Sequence, residues 1–231
     1  MIKFRSIIFY FGQALATFPF LLISIIAILF PPRRRSKLIA GWAIFVTWWL
    51  KMTCGLNHKI IGMENVPKQP CVFACAHQST WETIATQTFL PPLAWVLKKE
   101  LLKIPVFGWG LWATGPIAID RSERKRALDQ VIEQGIDKIK EARYVLIFPE
   151  GTRTAYGEKG RYKKGAARLA MEANVPIVPI AHNAGKYWSN TTPWIKSGTI
   201  TCIFGSEIST KDKTDSQITD EIEQWIESQN L

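Results

Sequence analysis

The first quarter of the chain contains no acidic residue. Before residue 58 there are seven basic side chains and no Asp or Glu, and residues 7–30 carry no charge of either sign. The formal net charge is +10. From residue 58 onward there are 22 basic and 19 acidic residues, so most of the excess positive charge lies beside the uncharged run. A basic segment next to an apolar one favours anionic lipid head groups, whereas a nucleic-acid partner would not require the apolar run. We therefore expect a lipid membrane as partner and no nucleic acid.

Several signatures of metal and nucleotide sites are also absent. The four cysteines show no CxxC spacing, the three histidines form no HExxH pair, and there is no GxGxxG, P-loop or GxSxG segment. We expect no metal, no dinucleotide or ATP cofactor and no serine-hydrolase mechanism. The cysteines are interpreted as small core residues in a reducing compartment, and His182, at the end of an apolar run, as a structural residue.

The N-terminal region predicts a membrane anchor of two helices over residues 1–57. As a helix, residues 7–30 would be ~36 Å long, enough for a hydrocarbon core of about 30 Å. Pro19 within this run is tolerated in a membrane helix. The second apolar run, residues 38–50, is too short to span and is rich in Trp, which suits the head-group region. The anchor is then either one span plus one interfacial helix or a hairpin embedded from one face.

From residue 58 onward, short apolar runs alternate with amphipathic segments. This alternation is typical of an α/β layer with a mixed, largely parallel sheet flanked by helices, and we assign residues 58–231 to it. Strands are predicted at 59–61, 72–76, 93–97, 117–119, 145–148, 177–181 and 199–204. Helices are predicted at 80–89, as a short pair over 100–112, and at 122–143, 165–173 and 214–229.

The stretch from residue 71 to residue 82 combines a buried strand with a candidate acid–base pair. Its apolar part has the length of a strand, and Ser79 with Glu82 has the spacing of a capping box that opens a helix. On one continuous helix, residues five apart lie roughly 140° apart around the axis, but across a turn His77 and Glu82 can meet. A carboxylate on the imidazole makes a general base. In the alternative, Glu82 only completes the cap and His77 is a polar turn residue; the stretch alone leaves both open.

Charged residues follow two other predicted strands as well. Arg121 comes just after one strand, and Glu150 and Arg153 follow another across a Pro and Gly turn. If the strands are parallel, these ends share one edge with His77, where α/β proteins build sites. Arginine is suited to bidentate phosphate binding, so the pattern indicates a phosphate monoester or a similar anion as ligand. The alternative for each arginine is a solvated surface charge.

Four sequence blocks, taken in order, resemble the motifs of the glycerolipid acyltransferase family. The blocks are His77 to Glu82, Gly115 to Arg121, Phe148 to Arg153 and Val175 to Ile180. The resemblance covers about residues 58–205, and a hydrophobic N-terminal arm is also usual in that family. Glu82 stands where the family usually has Asp, Ala118 where an aromatic residue is frequent, and Ala76 where Asn is frequent.

The resemblance implies an enzyme that acylates a lipid hydroxyl. His77 would act as general base and Glu82 would orient it. The free hydroxyl of lysophosphatidic acid would then attack the thioester of acyl-CoA or acyl carrier protein directly, without an acyl-enzyme, and give phosphatidic acid. The pocket for the acceptor phosphate would be formed by Arg121, Glu150, Gly151, Thr152 and Arg153. The acyl donor is a substrate, and no cofactor is implied.

The resemblance also implies a membrane location, which we expect to be the bacterial inner membrane with the active site facing the cytoplasm. One alternative is the same chemistry on another lysophospholipid or on glycerol 3-phosphate. Another is a non-enzymatic membrane lipid-binding protein that kept the fold. The sequence does not choose the head group of the acceptor, the acyl chain length or the type of donor.

Overall fold

Seven short segments form the strands of one mixed sheet. The computed structural model describes residues 1–104, 107–120, 122 and 124–231. In chain order the strands are β1 (Leu56–Ile61), β2 (Val72–Cys75), β3 (Leu93–Lys98), β4 (Ile117–Ile119), β5 (Tyr144–Ile147), β6 (Ile177–His182) and β7 (Gly198–Phe204). Each coincides with a strand predicted from the sequence, and β1 begins three residues before its predicted start.

The order and direction of the strands create a single functional edge. The strands lie side by side in the order β1-β7-β6-β2-β5-β3-β4. The five strands from β6 to β4 are parallel to one another, β7 is antiparallel to β6, and β1 is parallel to β7. The predicted mixed, largely parallel sheet is thereby confirmed. The carboxyl ends of β2, β4, β5 and β6 lie along one edge, which we call the carboxyl edge.

Helices cover both faces of this sheet. In the described part of the chain, the α-helices are α1 (Ile2–Ala27), α2 (Pro32–Cys54), α3 (Trp81–Phe89), α4 (Phe107–Ala113), α5 (Arg124–Lys140), α6 (Gly165–Glu172) and α7 (Asp215–Ser228). Along β2, Phe73 and Cys75 pack in the core shared with α1, α2 and α3, whereas Val72 and Ala74 pack in the core shared with α5, α6 and α7. Because both faces are buried, this strand is apolar at every position.

The two N-terminal helices extend beyond the apolar runs that predict them. α1 begins five residues before the run 7–30, ends three residues before its end, and continues through Pro19. α2 extends past the run 38–50 in both directions. By length and composition, α1 is the one helix among the described residues that could cross a membrane. A separate anchor over residues 1–57 stays a prediction.

The inner sides of α1 and α2 belong to the core of the α/β layer. Phe9 of α1 and Val46 and Leu50 of α2 are buried in the same cluster as the residues of the sheet. The hydroxyl of Tyr10 donates a hydrogen bond of 2.9 Å to the carbonyl of Pro193, in the loop between β6 and β7. The N-terminal part of α1 and the C-terminal half of α2 therefore pack into the core of the α/β layer.

A buried arginine fixes the end of the sheet opposite the carboxyl edge. Arg143 is fully buried immediately before β5. Its guanidinium donates hydrogen bonds to the carbonyls of Leu93, Thr114 and Gly115, the last two at 2.8 Å. These carbonyls lie at the start of β3 and in the turn before β4, so one side chain joins three neighbouring strands.

We expect Arg143→Met to lower the free energy of unfolding by about 3 kcal/mol, because three carbonyls lose their donor in a buried site. Arg168→Met is the matched control, since Arg168 is half exposed and pairs with Asp215 at 2.8 Å on the surface. That variant should lose less than about 1 kcal/mol. Denaturant unfolding in one detergent measures both, and equal losses would contradict the role of Arg143.

Candidate active site

The turn that follows β2 places His77 beside Glu82. Nδ1 of His77 lies 2.9 Å from Oε1 of Glu82, which is in the first turn of α3. The Glu82 side chain is fully buried, and that of His77 is 14% exposed. The imidazole is stacked on the ring of Phe148, with 3.9 Å between centroids. With Nδ1 facing the carboxylate, Nε2 is the nitrogen that can exchange a proton with a substrate.

The same carboxylate oxygen also caps α3. Oε1 of Glu82 accepts hydrogen bonds from the backbone N–H groups of Gln78 and Ser79, at 2.9 and 2.8 Å. In a capping box, Oγ of Ser79 would accept a hydrogen bond from the backbone N–H of Glu82. Here it accepts from the N–H of Trp81 instead, at 3.1 Å. The cap and the contact with His77 are therefore one structure, and the longer Glu side chain reaches the imidazole directly.

A second histidine lies behind Glu82. Nε2 of His182 is 2.9 Å from the carbonyl of Ala76 and 3.8 Å from Oε2 of Glu82, and its Nδ1 accepts from the N–H of Ala184. Nε2 therefore carries a proton and faces both the Ala76 carbonyl and the Glu82 carboxylate, and burial lowers the pKa of His182. Burial alone would raise the pKa of Glu82, but attraction to His182 and the bond from His77 outweigh it and the pKa is lowered. Glu82 is thus held as a carboxylate.

The turn after β5 contacts the His77 turn through Glu150. Oε1 of Glu150 accepts a hydrogen bond of 3.1 Å from the backbone N–H of His77, and the N–H of Thr154 donates to the His77 carbonyl at 2.8 Å. Glu150 is 6% exposed, and burial raises its pKa to about 7. A Cβ atom added to Gly160 would lie 2.6 Å from Cγ of Glu150, so the following loop packs closely on this side chain.

The other predicted phosphate ligands differ in what they contact. Thr152 and Arg153 are exposed beside the His77 turn, and Nε of Arg153 donates to the carbonyl of Ser79 at 3.1 Å. Arg121 lies outside the described residues; the strand before it, β4, ends at the carboxyl edge. The ends of β2, β4 and β5 thus meet at one edge, as parallel strands require.

Lys163 is a cation that the sequence pattern did not single out. Gly151 has a left-handed backbone with φ of +70°, and a Cβ there would lie 2.5 Å from Nζ of Lys163. Glycine thus lets the ammonium approach the chain, and the backbone N–H of Lys163 donates to the carbonyl of Pro149 at 2.9 Å. The loop at residues 151–165 is rich in Lys and Arg, and this composition is the one sequence signal for such a residue.

Together these groups suit a substrate that has both a hydroxyl and an anion. A base oriented by a carboxylate can activate the hydroxyl, and the cations of Arg153 and Lys163 lie at the same edge of the sheet as His77. Among the described residues, no group of three or more His, Cys, Asp or Glu side chains has the arrangement of a metal site. That the chain needs no metal stays a prediction.

Glu150 gives the protein a pH-dependent stability. Its pKa is about 7 in the folded chain against 4.5 ordinarily, so its stabilising effect is complete below pH 4.5 and is lost as the pH rises through about 7. A shift of this size corresponds to about 3 kcal/mol. The amide of Glu150→Gln does not titrate, so we expect this variant to avoid the loss. The melting temperature of the variant minus that of wild type should increase from about pH 5 to about pH 8. Circular dichroism in one detergent measures this.

The matched control for that measurement is Glu158→Gln, at an exposed position of the same loop. Its melting temperature should keep a constant difference from wild type over the whole pH range. A constant difference for Glu150→Gln as well would contradict the assignment of a buried carboxyl group that is half protonated near neutral pH.

Comparison with known proteins shows to which family a chain with this site is similar. A sequence profile described as Acyltransferase matches residues 57–183. The chain is 43% identical over 204 residues to a 1-acyl-sn-glycerol-3-phosphate acyltransferase of Pseudomonas aeruginosa, covering 87% of this chain and 79% of that protein. A Saccharomyces cerevisiae protein of the same name is 36% identical over 135 residues, which are 57% of this chain and 44% of that protein.

A solved structure shares the whole fold. The crystal structure of the 1-acyl-sn-glycerophosphate (LPA) acyltransferase PlsC from Thermotoga maritima superposes with a TM-score of 0.79, covering 100% of this chain and 96% of that one at 19% identity. At this identity the likeness concerns the fold alone. The profile, however, spans more than half of the chain and includes His77, Glu82 and the Phe148 to Arg153 block. The chain belongs to the acyltransferase family.

Proposed function

We propose that this chain transfers a fatty acyl group from acyl-CoA or acyl carrier protein to the free hydroxyl of lysophosphatidic acid, giving phosphatidic acid. The observation that carries the proposal is the contact of Nδ1 of His77 with Oε1 of Glu82 at the carboxyl edge, in a chain of the acyltransferase family. The names of the bacterial and yeast relatives support the choice of acceptor, since both are called 1-acyl-sn-glycerol-3-phosphate acyltransferases.

In this mechanism His77 is the general base. The ionised Glu82 accepts a hydrogen bond from the Nδ1–H group of His77, which leaves the lone pair of Nε2 to take the proton of the acceptor hydroxyl as its oxygen attacks the thioester carbonyl. When the tetrahedral intermediate collapses, the carbon–sulfur bond breaks and the imidazolium returns the proton to the departing sulfur. The acceptor oxygen attacks directly, so no acyl-enzyme forms. The negative charge of Glu82 stabilises the imidazolium throughout.

The acceptor phosphate is proposed to bind beside the His77 turn. Arg153 is suited to it because the bond from its Nε to Ser79 fixes the guanidinium next to that turn. Thr152, Gly151 and Lys163 complete the pocket in the described residues, and Arg121 is proposed as a further ligand. Glu150 contributes by holding the His77 backbone, since an ionised carboxylate in contact with the phosphate would repel it.

The site is proposed to work at a membrane surface, with residues 1–57 as a two-helix anchor. The length and composition of α1 support this, as does its outward side, which exposes Phe4, Ile7, Phe11, Leu15, Phe18 and Leu22. We assign the chain to the bacterial inner membrane. The active site faces the cytoplasm, where the soluble thioester donor is found.

His77→Ala should lower kcat for acyl transfer from labelled acyl-CoA to lysophosphatidic acid by about 10²–10⁴-fold, because the hydroxyl loses its base. His58→Ala, which removes an exposed histidine on β1, should remain near wild type. Equal product from His77→Ala and wild type would refute the mechanism. Other lysophospholipids and glycerol 3-phosphate, assayed in parallel, test the acceptor, and a faster reaction with one of them would replace lysophosphatidic acid.

Arg153→Ala should raise the KM for a short-chain, monomeric lysophosphatidic acid by about tenfold or more, because a hydrogen bond to a charged group contributes ~1.5–3 kcal/mol. The KM for the thioester should stay near wild type. The control is Arg161→Ala, an exposed arginine of the same loop. If only the thioester KM rises, the assignment of the phosphate pocket is wrong.

A further inference from the structure

Four large apolar side chains project from the α/β layer itself, outside the two N-terminal helices. They lie on α4, on the 3₁₀ helix at Lys99–Lys103 before it, and at the residue that directly follows this 3₁₀ helix; we call them the α4 ridge: Leu101, Ile104, Trp109 and Trp112. The two indoles are 56% and 58% exposed, and the two aliphatic side chains 36% and 43%. Trp109 and Trp112 are three residues apart and therefore lie on one side of the helix.

The α4 ridge continues the exposed apolar side of α1. α4 packs against α1 around Gly110, where an added Cβ would lie 3.5 Å from Cδ1 of Leu21. On the same half of α1, Phe18, Leu22 and Ile26 are 59–63% exposed. Large exposed apolar side chains on two packed helices mark an interaction site on a protein.

The charge around the α4 ridge identifies the partner. Lys98, Lys99 and Lys103 are exposed beside it, and the one acid within the 3₁₀ helix, Glu100, lies 3.8 Å from the ammonium of Lys98. Aliphatic and indole side chains flanked by lysines fit the boundary between acyl chains and anionic head groups of a phospholipid leaflet. A second copy of the chain would offer the same basic rim and would be repelled by it.

The α4 ridge also begins at the carboxyl edge. Its 3₁₀ helix starts at Lys99, directly after β3 ends at Lys98, and Lys98 pairs with Ile119 at the end of β4. That end belongs to the carboxyl edge. A leaflet in contact with the α4 ridge would therefore border the edge where His77 is found.

We propose that the α4 ridge inserts into the same anionic phospholipid leaflet as the N-terminal helices, so that the catalytic layer contacts the membrane directly. The inference rests on the proposed function at a membrane and adds a third element to the two-helix anchor. It gives a lipid acceptor a path to the carboxyl edge along the surface of α4 without leaving the leaflet.

Spin labelling of the full-length chain tests the depth of the α4 ridge. A nitroxide is attached at Trp112→Cys or Trp109→Cys, and the control is Gln224→Cys, exposed on α7 across the sheet. The native cysteines are at most 1% exposed, so unsubstituted protein serves as the labelling blank. In vesicles of phosphatidylglycerol and phosphatidylethanolamine, the labels on α4 should collide more with oxygen than with a water-soluble nickel complex, and the control label should show the reverse.

Two results would overturn the proposal: nickel accessibility on α4 equal to that at position 224, or dipolar broadening that shows a second copy covering the α4 ridge. Repeating the measurement with His77→Ala separates this outcome from that of the proposed function. Depth is read without acyl transfer, so it can be measured in the inactive variant as well as in wild type. A buried label in a wild-type chain that transfers no acyl group would refute the activity and support the α4 ridge.

A second variant links the α4 ridge to turnover. Trp109→Ala with Trp112→Ala should raise the apparent KM for an acceptor embedded in vesicles by about tenfold, and leave the KM for a short-chain, monomeric acceptor unchanged. Equal KM values for wild type and variant in vesicles would contradict insertion. A matching rise with the monomeric acceptor would also contradict it, because it would indicate damage to the site.

Discussion

One buried oxygen holds the candidate active site together. Oε1 of Glu82 accepts three hydrogen bonds, from the imidazole of His77 and from the backbone N–H groups of Gln78 and Ser79. These bonds orient the base, shape the turn after β2 and begin α3 at the same point. A fully buried carboxylate is costly unless it is satisfied, so the fold of the turn and the ionisation of the pair depend on each other.

The parts that sequence predicts well are those decided by neighbouring residues. Continuous apolar runs predict strands that are buried on both faces, and β2, β5 and β6 of this acyltransferase occur where such runs occur. The polar residues that follow β2 and β5 could be assigned to one edge because an alternating α/β pattern implies parallel strands. The approach of Glu82 to His77 follows in the same way, since a turn brings together residues five apart that a helix would separate.

What sequence could not predict depends on which strands become neighbours. His182 lies 3.8 Å from Glu82 because β6 pairs with β2. The sequence around residue 182 does not predict that pairing. Glu150 reaches the backbone of His77 because β5 is the other neighbour of β2. Similarly, an uncharged run indicates that α1 prefers an apolar environment, but not that Phe9 would share a core with the sheet. Because the hydrophobic effect is non-directional, the topology of the fold decides which residues an apolar side chain packs against.

The pairing of the first strand with the last has a consequence for synthesis. β1 aligns with β7 from Leu56 and Gly198 onward, so the sheet is incomplete until almost the whole chain has left the ribosome. During that time the inner sides of α1 and α2 have no sheet to cover them, whereas their outer sides can already meet lipid. Such distant pairing slows folding and prolongs the exposure of apolar surface. At the proposed membrane location, a bilayer encountered early would hold these helices while the rest of the protein is made, and it would then assist folding.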